Sequence, residues 1–120
     1  MTSKREDLIR EAREWIGTPW HHHQTCKFYG CDCVGFFVGM GERLNFDIGP
    51  KINYYRNPVN NSLQKELDKR FTVIPFRDRA PGDCLLLKIG ELPRLVGMVS
   101  YNGYFIHASR HYGVVEVILD

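Results

Sequence analysis

The sequence has no apolar run approaching the roughly 20 residues of a membrane-spanning helix, and Met1 to Asp7 lack the apolar stretch of a secretory leader. The expectation is a soluble chain, cytoplasmic at synthesis. Charge of one sign is also lacking: 16 basic and 14 acidic residues are spread along the chain, for a formal net charge of +2. That leaves no basic stripe for nucleic acid and no polybasic segment for a membrane surface. No internal repeat, linker or low-complexity tract interrupts the sequence. Cysteine is scarce, and three of the four (Cys26, Cys31, Cys33, Cys84) fall within eight positions. A disulfide framework needs an oxidising compartment and a core-poor chain, so free thiols are expected, with Cys84 simply buried. With 120 residues, 43% of them hydrophobic and 25% charged, one globular domain spanning 1–120 fits and two do not.

The helices come first. Ser3 and Glu6 make a capping-box pattern, and Leu8, Ile9, Ala12, Trp15 and Ile16 recur at helical spacing, predicting a helix from about Lys4 to Ile16. Residues 21–31 show no periodicity and read as a loop. Asp32 is a candidate N-cap for a second helix with Cys33, Val34, Phe37, Met40 and Leu44 on one face. Gly35 and Gly39 weaken that helix, and their spacing points to another backbone lying close. Residues 45–61 read as a long surface loop with tyrosines, and 62–69 as a short helix. Strands then follow at Thr72–Phe76, Cys84–Ile89, Leu95–Ser100, Tyr104–Ala108 and Val114–Leu119, with Asp83 capping the Pro81-Gly82 turn. Helices before strands predict an α+β domain with an antiparallel sheet. Two registers are open at Asn102-Gly103. A two-residue turn pairs residues whose numbers sum to 205, whereas a three-residue loop with left-handed Gly103 pairs those summing to 204.

Cys33 in the first turn of a helix is favoured as a thiolate, because the unpaired amides and the helix dipole stabilise negative charge there. Around it, Gly17-Thr18-Pro19-Trp20, Cys31-Asp32-Cys33-Val34-Gly35, Pro81-Gly82-Asp83, Val96-Gly97-Met98-Val99 and Ile106-His107-Ala108-Ser109 stand in an order that resembles the NlpC family of papain-like cysteine peptidases. Pro19-Trp20-His21-His22-His23-Gln24, with Gly30-Cys31-Asp32-Cys33 and Gly113-Val114-Val115-Glu116-Val117, is similar to the branch of that family found in bacteriophage tails. The resemblance implies a papain-like domain acting on peptidoglycan stem peptides. In it Cys33 matches the nucleophile and His107 the residue that orients the base. Trp20, His22, His23 and Asp32 are the candidate substrate-binding positions. The base belongs twelve positions before His107, and there the sequence has Leu95. A hydrocarbon side chain accepts no proton, so the thiol, base and orienter arrangement is broken at its centre. The family geometry also requires the 204 register, which puts Leu95 and His107 on one face.

The resulting expectation is a phage or prophage tail-tip or baseplate protein, carried in the virion tail and in host cytoplasm before assembly. It docks on other tail proteins and is catalytically impaired, with a working peptidoglycan endopeptidase as the alternative. No cofactor is expected. A third class, a metal-binding module using His21, His22, His23, Cys26, Cys31 and Cys33, has no standard ligand spacing behind it, so no metal site is assigned.

Overall fold

A computed structural model describes residues 4–22, 24–45, 74–89 and 92–118. The loop and helix expected over 45–69 lie outside the described residues, apart from Asn45. Among the described residues there are two α-helices and six strands: α1 (Lys4–Glu14), β1 (Thr25–Cys26), β2 (Gly30–Cys31), α2 (Cys33–Leu44), β3 (Cys84–Ile89), β4 (Leu92–Val99), β5 (Tyr104–Ser109) and β6 (Gly113–Ile118). The last four form one antiparallel sheet in the order β3-β4-β5-β6, with the helices on one face, so the class is α+β.

Each helix ends where its local chemistry stops it. α1 carries Glu6 and Asp7 in its first turn and Arg13 in its last, matching the helix dipole. It stops two residues earlier than its apolar spacing predicted. Trp15 and Ile16 turn back onto Ala12 and Arg13 in a tighter coil, freeing the Gly17 amide for the Val114 carbonyl at 2.9 Å. α2 begins as expected. Asp32 accepts a 2.7 Å hydrogen bond from the Gly35 amide, and left-handed Asn45 closes the other end. A side chain at Gly35 would strike the Gln24 carbonyl, and one at Gly39 the Trp15 ring and the Thr25 carbonyl. The two glycines are therefore where the 21–31 segment crosses α2. That segment is not a featureless loop: Thr25 pairs with Cys31 and Cys26 with Gly30 in a small hairpin. Strands of two residues are too short for periodicity to reveal.

The helix-facing side of the sheet, with Cys84, Leu86, Val96, Met98, Ile106, Ala108 and Val114, packs on Ile9, Ala12, Trp15, Phe36 and Met40. Each fully buried large side chain there contributes on the order of 1.5–3 kcal/mol. On the opposite face Leu85, Val99 and Phe105 form a second cluster. The strand expected from Thr72 is absent at Ile74 and Pro75, and Phe76–Asp78 is a single tight helical turn instead. Pro75 removes a ladder donor and fixes its own backbone, which favours the turn.

The β4–β5 register is the 204 one, with Gly97 opposite His107, Met98 opposite Ile106 and Val99 opposite Phe105. Asn102 and Gly103 take φ of 58° and 82° in a three-residue loop closed by Ser100 N–H on the Tyr104 carbonyl at 2.9 Å. Backbone position 95 pairs with Leu87 on β3 and shares the face of Gly97 and His107.

Candidate functional site

Four candidate residues meet at the N-terminus of α2. Trp20 bridges to Cys31 in parallel, His21 N–H donates to the Cys31 carbonyl at 3.0 Å, and Asp32 N–H donates to the Gln24 carbonyl at 3.4 Å. These bonds fold the Trp20–Gln24 segment over the helix start, bringing Trp20, His22, Asp32 and Cys33 together. Asp32 is 1% exposed. Its Oδ1 caps the helix, while its Oδ2 lies 3.7 Å from His22 Nδ1. The Trp20 and His22 rings stack with centroids 6.1 Å apart at 20°, and the Arg110 guanidinium lies 5.6 Å from the Trp20 ring centroid. His23 lies outside the described residues.

Cys33 is half-buried, and the amides of Val34, Val96 and Cys33 itself hydrogen-bond its sulfur. The Val96 amide belongs to the residue after Leu95, so the sulfur is lodged against β4 beside the base position. The expected stabilisation of the thiolate does not prevail. Burial, then the Asp32 charge, push the Cys33 thiol up to about 12, and the amides only partly offset this. The helix terminus favours negative charge, but its own capping carboxylate sits one residue away and opposes it. No histidine contributes to this shift.

Cys84, expected to be simply buried, is half-buried. It faces the helices diagonally across from Val96, and its thiol is pushed up to about 12 by burial, then by Cys33 and Asp83. Buried Cys31 is likewise raised to about 12 by burial, Asp32 and Cys33. All four cysteines are free.

His107, on β5, stacks on Phe105 with centroids 4.8 Å apart at 9°. Burial pushes its titration down, partly offset by a hydrogen bond with the Ala108 backbone. Its Nδ1 is buried and has no hydrogen-bond partner among the described residues. The position diagonal to it on the same face is 95, where leucine has no polar atom to offer. Sequence reasoning missed Cys84 and Arg110, which lie 51 and 77 positions beyond Cys33 with no motif linking them to it. Among the described residues, no group of three or more His, Cys, Asp or Glu side chains is placed to hold a metal ion.

No family model matches the chain. It is 28% identical over 116 residues to the probable endopeptidase NlpC of Escherichia coli strain K12, an alignment spanning 94% of this chain and 67% of that protein. Among solved structures, the NlpC/p60 domain of the peptidoglycan hydrolase SagA matches with a TM-score of 0.69 at 21% identity, over 95% of this chain and 88% of that one. NlpC1 from Trichomonas vaginalis matches with a TM-score of 0.69 at 22% identity, over 97% of this chain and 40% of that one. An NlpC/P60 family protein from Bacillus cereus matches with a TM-score of 0.70 at 19% identity, over 100% of this chain and 36% of that one. The fold is the papain-like fold of these domains.

Proposed function

We propose, from the NlpC/P60 membership that this relative and these folds support, that the chain is a phage or prophage tail-tip or baseplate domain in which peptidoglycan hydrolysis is impaired. Its part is structural, docking on other tail proteins. The observation that carries the impairment is the setting of Cys33. Burial pushes its thiol up to about 12, the base position holds leucine, and His107 Nδ1 has no hydrogen-bond partner among the described residues. A peptidase of this kind needs the thiol, base and orienter in successive hydrogen-bond reach. The tail assignment is supported by the resemblance of His21-His22-His23-Gln24 and Gly30-Cys31-Asp32-Cys33 to the tail-protein branch.

The second reading, a working endopeptidase cutting stem peptides during genome delivery, is favoured by the amides of Val34, Val96 and Cys33, which favour the thiolate form of the nucleophile. Muropeptide cleavage separates the two. The native chain should leave muropeptides intact, while Leu95→His should introduce cleavage that disappears with Cys33→Ala, since a positioned general base is typically worth 10²–10⁴-fold. Native turnover equal to that of Leu95→His, lost on Cys33→Ala, overturns the impairment. For the tail role, the chain should be a stoichiometric component of purified virions, and Cys33→Ala phage should assemble and infect as wild type. Its absence from virions rejects that role.

A further inference from the structure

The segment before α2 touches the site through a carboxylate rather than through sulfur. Asp32 is 1% exposed and adjoins Cys33, and its Oδ1 is committed to the Gly35 amide. A charge held that close in a buried setting opposes a thiolate at the next residue far more than it would in water. The remaining oxygen, Oδ2, faces His22 Nδ1 at 3.7 Å, and the imidazole stacks on Trp20 and remains one-third exposed, at 33%. An imidazole with one side on a buried carboxylate and the other toward water can gain and lose a proton without moving.

We infer that His22 is a positioning residue for Cys33, acting through Asp32. When charged, it neutralises the buried carboxylate and lets a thiolate form at the neighbouring residue; when neutral, it leaves Asp32 to oppose that thiolate. The groups around the sulfur come from four elements: the Asp32 cap of α2, the Cys31 thiol on β2, the Cys84 thiol on β3 and the Val96 amide on β4. Around His22 stand Asp32 and Trp20, with Arg110 from the β5–β6 turn beyond the indole. Of these, Asp32 alone is a formal negative charge in reach of both the imidazole and the sulfur. The inference rests on Cys33 being the nucleophile position, but not on any turnover.

The test is the rate at which N-ethylmaleimide modifies Cys33, read by mass spectrometry of its own peptide between pH 5.5 and 9. The chains compared are native, His22→Gln, Asp32→Asn and the double variant. Asparagine keeps the side-chain oxygen that caps α2, and circular dichroism checks each fold. Asp32→Asn should speed modification about tenfold above pH 8, where the carboxylate is unopposed, and only about twofold below pH 6.5, where charged His22 already offsets it. His22→Gln should slow it about fivefold below pH 6.5, where an imidazole is ordinarily charged, and leave it unchanged above pH 8. In the Asp32→Asn background, His22→Gln should do nothing. Slowing by His22→Gln that is equal at every pH, that persists without Asp32, or that is absent altogether overturns the inference. Should Asp32→Asn fail to fold, the pH dependence of His22→Gln decides alone. Because alkylation needs no substrate, a silent muropeptide assay leaves this result standing, and the converse holds equally.

Discussion

Two positions test the site. Gly35 is close to the Gln24 carbonyl because the crossing segment takes its register from that carbonyl's bond to the Asp32 amide. Gly35→Ala should therefore cost about 1–3 kcal/mol in urea denaturation, the range of an overpacked interior, although alanine is the better helix former. A gain in stability would mean that the segment moves aside freely. Leu95 is the other. Leu95→His puts an imidazole at the β4 position diagonal to His107, whose Nδ1 has no partner among the described residues, and a bond between the two should offset the roughly 1–3 kcal/mol that an unpaired polar group costs. Coupling between the two changes is readable. Leu95→His should lose more stability in a His107→Ala background than in the native one, and equal losses would show that the two rings do not meet.

Between elements, the buried Lys27 ties the β1–β2 hairpin to α1. Its ammonium, on a side chain 3% exposed, reaches Glu11 Oε2 at 2.6 Å and Glu14 Oε1 at 2.8 Å, and Glu11 also accepts from Trp15 Nε1 at 2.8 Å. Removing one partner of a buried pair leaves the other charge uncompensated, so Lys27→Ala should cost about 3 kcal/mol by equilibrium unfolding. Glu14→Gln, changing a carboxylate that is 56% exposed, should cost far less. Comparable losses would place the tie at Glu14 rather than at Glu11. Elements with many periodic residues were legible in the sequence. α2 and β3 begin and end as expected, and the other sheet strands shift by one to three residues at one or both ends. The register at Gly97 and His107 was legible too, through the loop chemistry of Asn102 and Gly103. The hairpin at Thr25–Cys31 was not, since two-residue strands have no period. Nor was the reversal at Cys33, where helix-terminus reasoning from spacing cannot weigh burial against a neighbouring carboxylate. The Asp32–His22 contact was likewise hidden, because it depends on how the Trp20–Gln24 segment folds back.

Across the whole molecule, ionisation bounds the stability on both sides. Cys31, Cys33 and Cys84 are raised in the fold from 9.0 to about 12, so the unfolded chain releases these protons first. Their contribution is complete below pH 9 and is lost as pH climbs toward 12. His107 is lowered from 6.5 by burial, so the unfolded chain takes its proton more readily, and stability falls as pH drops below 6.5. Burial alone would raise Glu116, but hydrogen bonds from Arg13 and Ser100 outweigh it and lower it from 4.5, adding a further loss below that pH. The melting temperature should accordingly peak between pH 6.5 and 9 and decline more gently above 9 in Cys84→Ala. A melting temperature still rising at pH 10 would contradict the buried thiols.

The stitching of α1 to β6 has a consequence in time. Arg13 and Glu116 meet in a paired contact at 3.1 and 3.0 Å across 103 positions, and Gly17 and Thr18 exchange backbone bonds with Val114. Among the described elements α1 is synthesised first and β6 last, so the helix leaving the ribosome earliest must wait for the strand leaving latest before its end is anchored. Contacts of such sequence separation form slowly, because the intervening chain must be closed before they contribute. During synthesis, the apolar face of α1 is thus the surface a chaperone would meet first and the mature protein would hide last.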